Sequence, residues 1–346
     1  MKYFTTYFIS KSAICKNLQT IKKSVGNNTL ICAMVKANAY GHDCKTVCKI
    51  LKNKVDFFGV ANVEEAKEIR RFDKQTKILI VGKTPIKSYN WCAKNNVSVT
   101  ISSLQDLHNL KLKSPLCIHI KIDTGLSRFG FQDKKILKVA LSEIAKNNLI
   151  KIEGAFTHFS TKDNNTLFIR QQYEKFISYK DILPKDIVFH CCNSYATINH
   201  PEFKLDMVRV GYALYTCTKT ACKITSKIID TRVVECGTTV GYDRTHTTTQ
   251  KTKLAVVPIG YADGLDRHLG NNFCLFVKGK FTKIVGNICM DVCMLDITNT
   301  NAKVGDDVEI LGKHISLSDY SKKLNTSTYD IMLKFNHARM NIKTDK

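Results

Sequence analysis

The sequence predicts an α/β protein: a (β/α)8 TIM-like barrel over residues 1–225, followed by a mainly β domain over residues 226–346. Three observations carry this expectation. Short apolar runs alternate with amphipathic, lysine-rich segments through the first 225 residues, the pattern of strands buried on both faces with helices between them. Polar residues capable of chemistry stand just after those runs, where a parallel barrel assembles its site. Beyond residue 225 the texture changes to strand-like runs broken by tight turns.

Eight runs serve as strand candidates, at residues 30–35, 57–61, 78–81, 97–101, 116–122, 152–156, 187–189 and 207–210. Between them, residues 63–72, 103–112, 133–147 and 165–179 carry apolar residues at helical spacing. An open doubly wound sheet is the alternative arrangement of the same alternation. In the second domain the strand-like runs are 232–234, 253–259, 273–277, 284, 292–297 and 307–311, with breaks such as Lys278-Gly279-Lys280, and helical periodicity returns only at 320–324. No Pro-, Gly- or Ser-rich linker marks the boundary, and there is no internal repeat.

Composition narrows the function classes. The 346 residues are 44% hydrophobic and 24% charged, which suits a folded chain with one large core and a smaller one. No apolar run approaches the roughly 18 residues of a membrane span, and the first ten residues are too polar for a secretory segment. A cytoplasmic protein without a membrane partner is expected. The 14 cysteines include no Cys-x-x-Cys pair and no Cys/His cluster at zinc spacing, so no metal is expected. Cys32, Cys117, Cys191, Cys289 and Cys293 lie in apolar stretches and read as small buried hydrophobes. The formal charge of +23 is spread along the chain rather than gathered into a basic patch, which argues against nucleic acid as a partner while favouring anionic small molecules.

Lys36 directly follows the first run. Burial lowers a lysine's pKa towards the neutral amine that attacks an aldehyde. Lys121 and Asp123 end the fifth run, His158 follows the sixth, Asn193 and Ser194 follow the seventh, and Arg209 and Gly211 close the eighth.

The run Ala33-Met34-Val35-Lys36-Ala37-Asn38-Ala39-Tyr40-Gly41-His42 resembles the pyridoxal-lysine signature of the alanine racemase family, with Met34 and Asp43 as departures. The resemblance continues in order through His119-Ile120-Lys121-Ile122-Asp123-Thr124-Gly125-Leu126-Ser127-Arg128, Thr157-His158-Phe159-Ser160, His190-Cys191-Cys192-Asn193-Ser194 and Arg209-Val210-Gly211-Tyr212. In the second domain it takes in Val240-Gly241-Tyr242, Gly260-Tyr261-Ala262-Asp263-Gly264 and Cys289-Met290-Asp291, and altogether it spans about residues 5–340.

The family is dependent on pyridoxal 5'-phosphate and of fold type III, and it interconverts L- and D-alanine, supplying D-alanine for peptidoglycan. The resemblance implies that Lys36 carries the cofactor as a Schiff base and serves one face of the substrate. It implies that Tyr242, from a partner subunit of a homodimer, serves the other. It gives the phosphate to Tyr40, Ser194, Gly211 and Tyr212, with His158 and Asn193 also beside the cofactor, and the pyridine nitrogen to Arg209. Arg128, Tyr261, Met290 and Asp291 would bind substrate. Lys121 would be carbamylated or, in the plainer alternative, an ammonium paired with Asp123.

One departure bears on substrate. The family's closing Arg-x-Pro-Arg-x-Tyr becomes Asn336-His337-Ala338-Arg339-Met340-Asn341, and an amide at Asn341 in place of tyrosine would leave volume and a hydrogen-bond donor for a β-hydroxyl, hence serine. Fold-type-III decarboxylases and small pyridoxal-binding barrel proteins share the Lys36 motif and are the other classes to separate. Neither has the paired Val-Gly-Tyr and Gly-Tyr-Ala-Asp-Gly segments.

Overall fold

The computed structural model describes residues 2–161 and 166–345. It divides into two compact units: Ile14–Lys219, and the chain up to Ala13 together with that from Thr220 onward. The expected division at residue 225 gave the whole N-terminus to the barrel, whereas strand β1 (Thr6–Ile9) belongs with the second unit. There it pairs antiparallel with Cys222–Lys227 and parallel with Asn341–Thr344, so both chain ends share one sheet.

The first unit contains the barrel. Its strands are β2 (Leu30–Met34), β3 (Phe57–Val60), β4 (Lys77–Ile80), β5 (Val97–Ile101), β6 (Leu116–Lys121), β7 (Ile150–Phe156), β8 (Val188–His190) and β9 (Met207–Val210). All ladders are parallel, and β2 pairs with both β3 and β9. The ring closes where Asp206 N donates to Phe189 O at 3.0 Å and Arg209 N to Cys192 O at 3.0 Å. Both faces of these strands are buried, which is why they read as continuous apolar runs rather than alternating ones.

Helices occupy the expected places at Val63–Arg70, Lys134–Ala145 and Thr166–Ile177, while Asn165 lies outside the described residues. Residues 103–112 form only the 3-10 turn Leu104–Leu107. A Ser103–Asp106 capping box starts that turn, but His108 is extended and Asn109 is left-handed at φ 54°, so the helix cannot propagate.

The remaining strands lie in the second unit. A six-stranded sheet there includes the hairpin Cys274–Val277 and Lys280–Lys283, turned by Lys278 (φ 47°) and Gly279 (φ 82°). Asp230–Val234, Thr252–Val257 and Cys293–Asp296 make a smaller three-stranded sheet. Among the described residues no helix is long and apolar enough to cross a membrane.

Arg70, buried at the end of its helix, is the tie at the strand-start rim of the barrel. Its guanidinium donates to the carbonyls of Asn95, Asp73, Thr76 and Asn96 at 2.7–3.0 Å. Only a planar fork with five donors satisfies that set. Arg70→Lys is expected to lower unfolding free energy by about 2–4 kcal/mol, since several buried carbonyls lose partners, as read from urea denaturation.

Candidate active site

At the C-terminal end of β2 the chain enters a left-handed turn. Ala37, Asn38, Ala39 and Tyr40 have φ of 51°, 52°, 54° and 55°. For L-residues other than glycine this costs roughly 1–2 kcal/mol each. The turn is held by specific bonds. Glu65 accepts from Ala37 N at 2.8 Å and Ala61 N at 2.7 Å, Asn38 Oδ1 accepts from Cys44 N at 2.7 Å, and the Asp43 carboxylate caps the following helix through Thr46 N at 3.0 Å. His42, stacked on Tyr215 with ring centroids 4.4 Å apart, contacts Tyr40 O through Nδ1. This geometry sets Lys36 at the mouth of the barrel rather than letting the chain run on as a strand.

Lys36 is half-buried, and its Nζ has no hydrogen-bond or ion-pair partner among the described residues. Burial depresses its pKa, Arg128 and Arg209 add to the depression, and Glu65 opposes it. Lys121 is buried with Nζ 3.5 Å from the centre of the Phe129 ring. Burial first, then Arg128, Arg209 and Lys36, bring its pKa down to about 7 against the pull of Asp123. The expected alternative of a Lys121–Asp123 ion pair is not formed among the described residues. Asp123 instead accepts from the backbone N–H groups of Gly125, Leu126 and Ser127 and from Gln132.

Arg209 projects from β9 and is buried. It donates to Thr157 O at 2.6 Å, His190 O at 3.1 Å, Cys191 O at 3.2 Å, His190 Nδ1 at 2.7 Å and His158 Nδ1 at 3.2 Å. Desolvation, then Arg209 and the neighbouring cations, hold His158 well below the usual imidazole range. Ser194 Oγ accepts from Gly211 N at 2.9 Å and Ala213 N at 3.1 Å. Gly211 leaves room for Tyr40, since a Cβ there would meet Tyr40 Oη at 2.4 Å. Asn193 caps the helix Ser194–Asn199 through Ala196 N at 3.0 Å, and Tyr212 is half-buried just after Gly211. The exposed Arg128 follows the turn that Asp123 organises.

The barrel unit thus gathers Lys36, Tyr40, Lys121, Arg128, His158, Asn193, Ser194, Arg209, Gly211 and Tyr212 at the strand C-termini and the segments following them. Four of these residues are cations, and the only carboxylate among the groups acting on Lys121 has its oxygens spent on N–H donors. Such a set suits an anionic ligand carrying a carbonyl, which is the chemistry of a phosphorylated aldehyde.

In the second unit three turns come together. Gly241, at φ 77°, precedes Tyr242, whose carbonyl accepts from Asn287 Nδ2 at 3.0 Å. Tyr261 N donates to Cys289 O and Ala262 N to Met290 O, while a Cβ on Gly260 would strike Met290 O at 2.2 Å. Arg339 ties the set, donating to Asp263 at 2.7 Å and also to Asp291. Tyr242, Tyr261, Met290 and Asp291 are exposed. Asn341 is elsewhere: its amide accepts from Lys2 N and Tyr3 N and donates to the carbonyls of Tyr3 and Thr5. Those bonds use both ends of the amide, so it is not the free donor that the serine expectation required.

With this geometry in place, the comparisons decide the family. The alanine racemase N-terminal domain matches residues 9–219, and the alanine racemase C-terminal domain matches residues 221–343. This chain belongs to the alanine racemase family. Alanine racemase 1 of Caldanaerobacter subterraneus subsp. tengcongensis is 34% identical, over 92% of this chain and 89% of that protein. The alanine racemase of Methanococcus maripaludis is 35% identical, over 94% of each. Among solved structures, alanine racemase from E. faecalis superposes with a TM-score of 0.94 at 30% identity, covering 99% of this chain and 98% of that one. The Bacillus anthracis enzyme with bound L-Ala-P gives a TM-score of 0.93 at 27% identity, covering 100% and 96%.

Sequence reasoning gave no role to Glu65, which acts at this end of the barrel, or to His190, His119 and Glu153, which run from Arg209 into the barrel interior. His119 and His190 stood inside the family motifs without roles, and Glu65 had only its place two residues after the start of a helix. Asn38→Val should cost about 2–4 kcal/mol, combining a β-branched residue in the left-handed turn with loss of the bond to Cys44 N. Denaturant unfolding checks the loss, and hydrogen exchange at Cys44 should rise with it.

Proposed function

We propose that this chain interconverts L- and D-alanine as a pyridoxal-phosphate-dependent homodimer, with Lys36 and Tyr242 exchanging protons on opposite faces of the substrate α-carbon. The observation that supports it most is the depressed, unpaired amine of Lys36 beside buried Arg209, inside a cluster of cations with no free carboxylate. When bound, pyridoxal phosphate supplies the carbonyl that captures an amine and the conjugated ring that draws electrons from the α-carbon.

The chain's own residues do the rest. Tyr40, Ser194 and the chain at Gly211 and Tyr212 would hold the phosphate, with Asn193 and His158 bordering them. Arg209 would face the ring nitrogen and, being a guanidinium, could donate to it without accepting its proton. Lys36 Nζ takes or returns the α-proton on one face, and the Tyr242 hydroxyl does so on the other. Two bases are needed because a single base tends to return its proton to the side it came from. Arg128 and the Tyr261, Met290 and Asp291 turns orient the substrate carboxylate and narrow access. Lys121, neutral in part near pH 7, is open to carbamylation, which would give the site an anion. The exposure of Tyr242 and Met290, 69% and 53%, supports a second copy covering them. Action in the cytoplasm belongs to the same reading.

Purified protein given pyridoxal phosphate in deuterated water should exchange the α-hydrogen of alanine while inverting it, without releasing carbon dioxide; release of carbon dioxide would mark a decarboxylase instead. Lys36→Ala should lose both activity and the absorption of the lysine-bound cofactor near roughly 420 nm. Tyr242→Phe should keep the absorption and lose racemisation. Mixing those two variants under conditions that re-pair subunits should restore about a quarter of wild-type activity if sites are shared, by random assortment into pairs with one intact site. No recovery would remove the shared-site homodimer.

A further inference from the structure

Arg209 is a buried cation whose hydrogen-bond partners are three carbonyls and two imidazole nitrogens, with no carboxylate among them. An unpaired buried charge of this kind is costly. One of its bonds opens a path along the barrel interior. Arg209 NH1 lies 2.7 Å from His190 Nδ1, His190 Nε2 lies 2.8 Å from His119 Nδ1, and His119 Nε2 lies 3.3 Å from Glu153 Oε2. Both imidazoles are fully buried. Glu153 also accepts from Ser98 and Lys77, at the starts of β5 and β4, so the path runs towards the rim opposite Lys36.

We propose that Glu153 and His119 are positioning residues that act through His190, forming a one-way hydrogen-bond chain that fixes the direction of the buried Arg209 guanidinium. The ends determine the protons. A guanidinium only donates and a carboxylate only accepts, while each neutral imidazole has one donor and one acceptor. Therefore both rings carry hydrogen on Nε2 and accept at Nδ1, and no other arrangement satisfies all three bonds. The carboxylate remains ionised: burial raises its pKa, but the bonds from His119, Lys77 and Ser98 outweigh that and bring it down to about 2. Desolvation, aided by Arg209, keeps His190 and His119 neutral.

The fold makes local concessions to this chain. The β6–β7 ladder pairs Ile118 with Ile152 and then His119 with Gly154, skipping Glu153. A skipped residue re-aims its side chain, which here reaches His119. Gly154 leaves space for the His119 ring, since a Cβ would fall 2.5 Å from it. Phe156 stacks on His190 at 4.9 Å and an interplanar angle of 10°, and Phe57 meets His119 edge-on, so both rings are held in place.

The role given to Arg209 rests on the proposed function, so the test has an arm independent of it. In 15N-histidine-labelled protein, with and without pyridoxal phosphate, His119 and His190 should both show the neutral Nε2–H pattern across roughly pH 5 to 9. A coupling across the Nε2–H···Nδ1 bond identifies the pair without a variant. An imidazolium or an Nδ1–H ring at either position overturns the chain. In kinetics, His119→Leu should cut kcat by about tenfold with KM for alanine within about twofold of wild type. His119→Gln, which can accept and donate in the same sense, should recover to within about threefold of wild type. If leucine and glutamine behave alike, His119 is only filling space and the proposal fails. A protein that gives the expected spectra but neither racemises alanine nor binds the cofactor would instead refute the functional reading alone.

Discussion

The barrel gathers more positive charge at one end than it neutralises, and much of the local structure answers that constraint. Lys36, Lys121, Arg128 and Arg209 act on one another electrostatically, and Asp123 spends its oxygens organising a turn. Burial penalises each charge and like neighbours deepen the penalty. The responses differ by residue type. Lysines can shed a proton, and the amines of half-buried Lys36 and buried Lys121 are both pushed that way. Lys121 also rests on an aromatic face. Arginine has no such exit, so Arg209 is surrounded by carbonyls and neutral imidazoles. Histidines near it are driven neutral, which makes them acceptors at Nδ1 rather than further cations. An anionic ligand would complete the balance, as the proposed pyridoxal phosphate would.

Backbone strain at Lys36 belongs to the same design. Four consecutive left-handed residues would not persist in an isolated peptide. They persist because Glu65, Asn38 and the His42–Tyr215 stack define the turn from several sides. Glu65 has two roles there: it pins two backbone N–H groups and places a negative charge near the Lys36 amine. The strain turns the chain sharply after a buried strand, so a lysine that would otherwise reach solvent is kept at the barrel mouth.

The barrel was legible because strands buried on both faces must be apolar throughout, and each of the eight runs became a strand. The residues at their ends were legible because strand C-termini face the site. Other features depend on register or long-range pairing, which a single chain does not display. Strand β1 is short and joins Asn341–Thr344 from the far end of the sequence. Residues 103–112 have helical spacing, but a left-handed Asn109 stops the turn. Asn341 could be aligned with a tyrosine, yet its hydrogen bonds are to backbone at the N-terminus. Glu153 gains its aim from a ladder irregularity with no composition signal.

Exposure of Tyr242, Tyr261 and Met290 is the counterpart of the crowding in the barrel. Exposed aromatic and thioether side chains are usually on mobile turns, where ordering them gives no benefit. Here the turns are fixed: Asn287 bonds the Tyr242 carbonyl and the Asp243 carboxylate, Gly260 brings the Tyr261 turn onto the Met290 backbone, and Arg339 joins Asp263 to Asp291. Rigid presentation of apolar groups lowers the entropy lost when a surface covers them. It also fixes the backbone that carries the Tyr242 phenol, which a proton-transferring group requires more than a purely structural tyrosine does. Preorganisation of an uncovered tyrosine is therefore a stronger argument for its proposed role than its exposure alone.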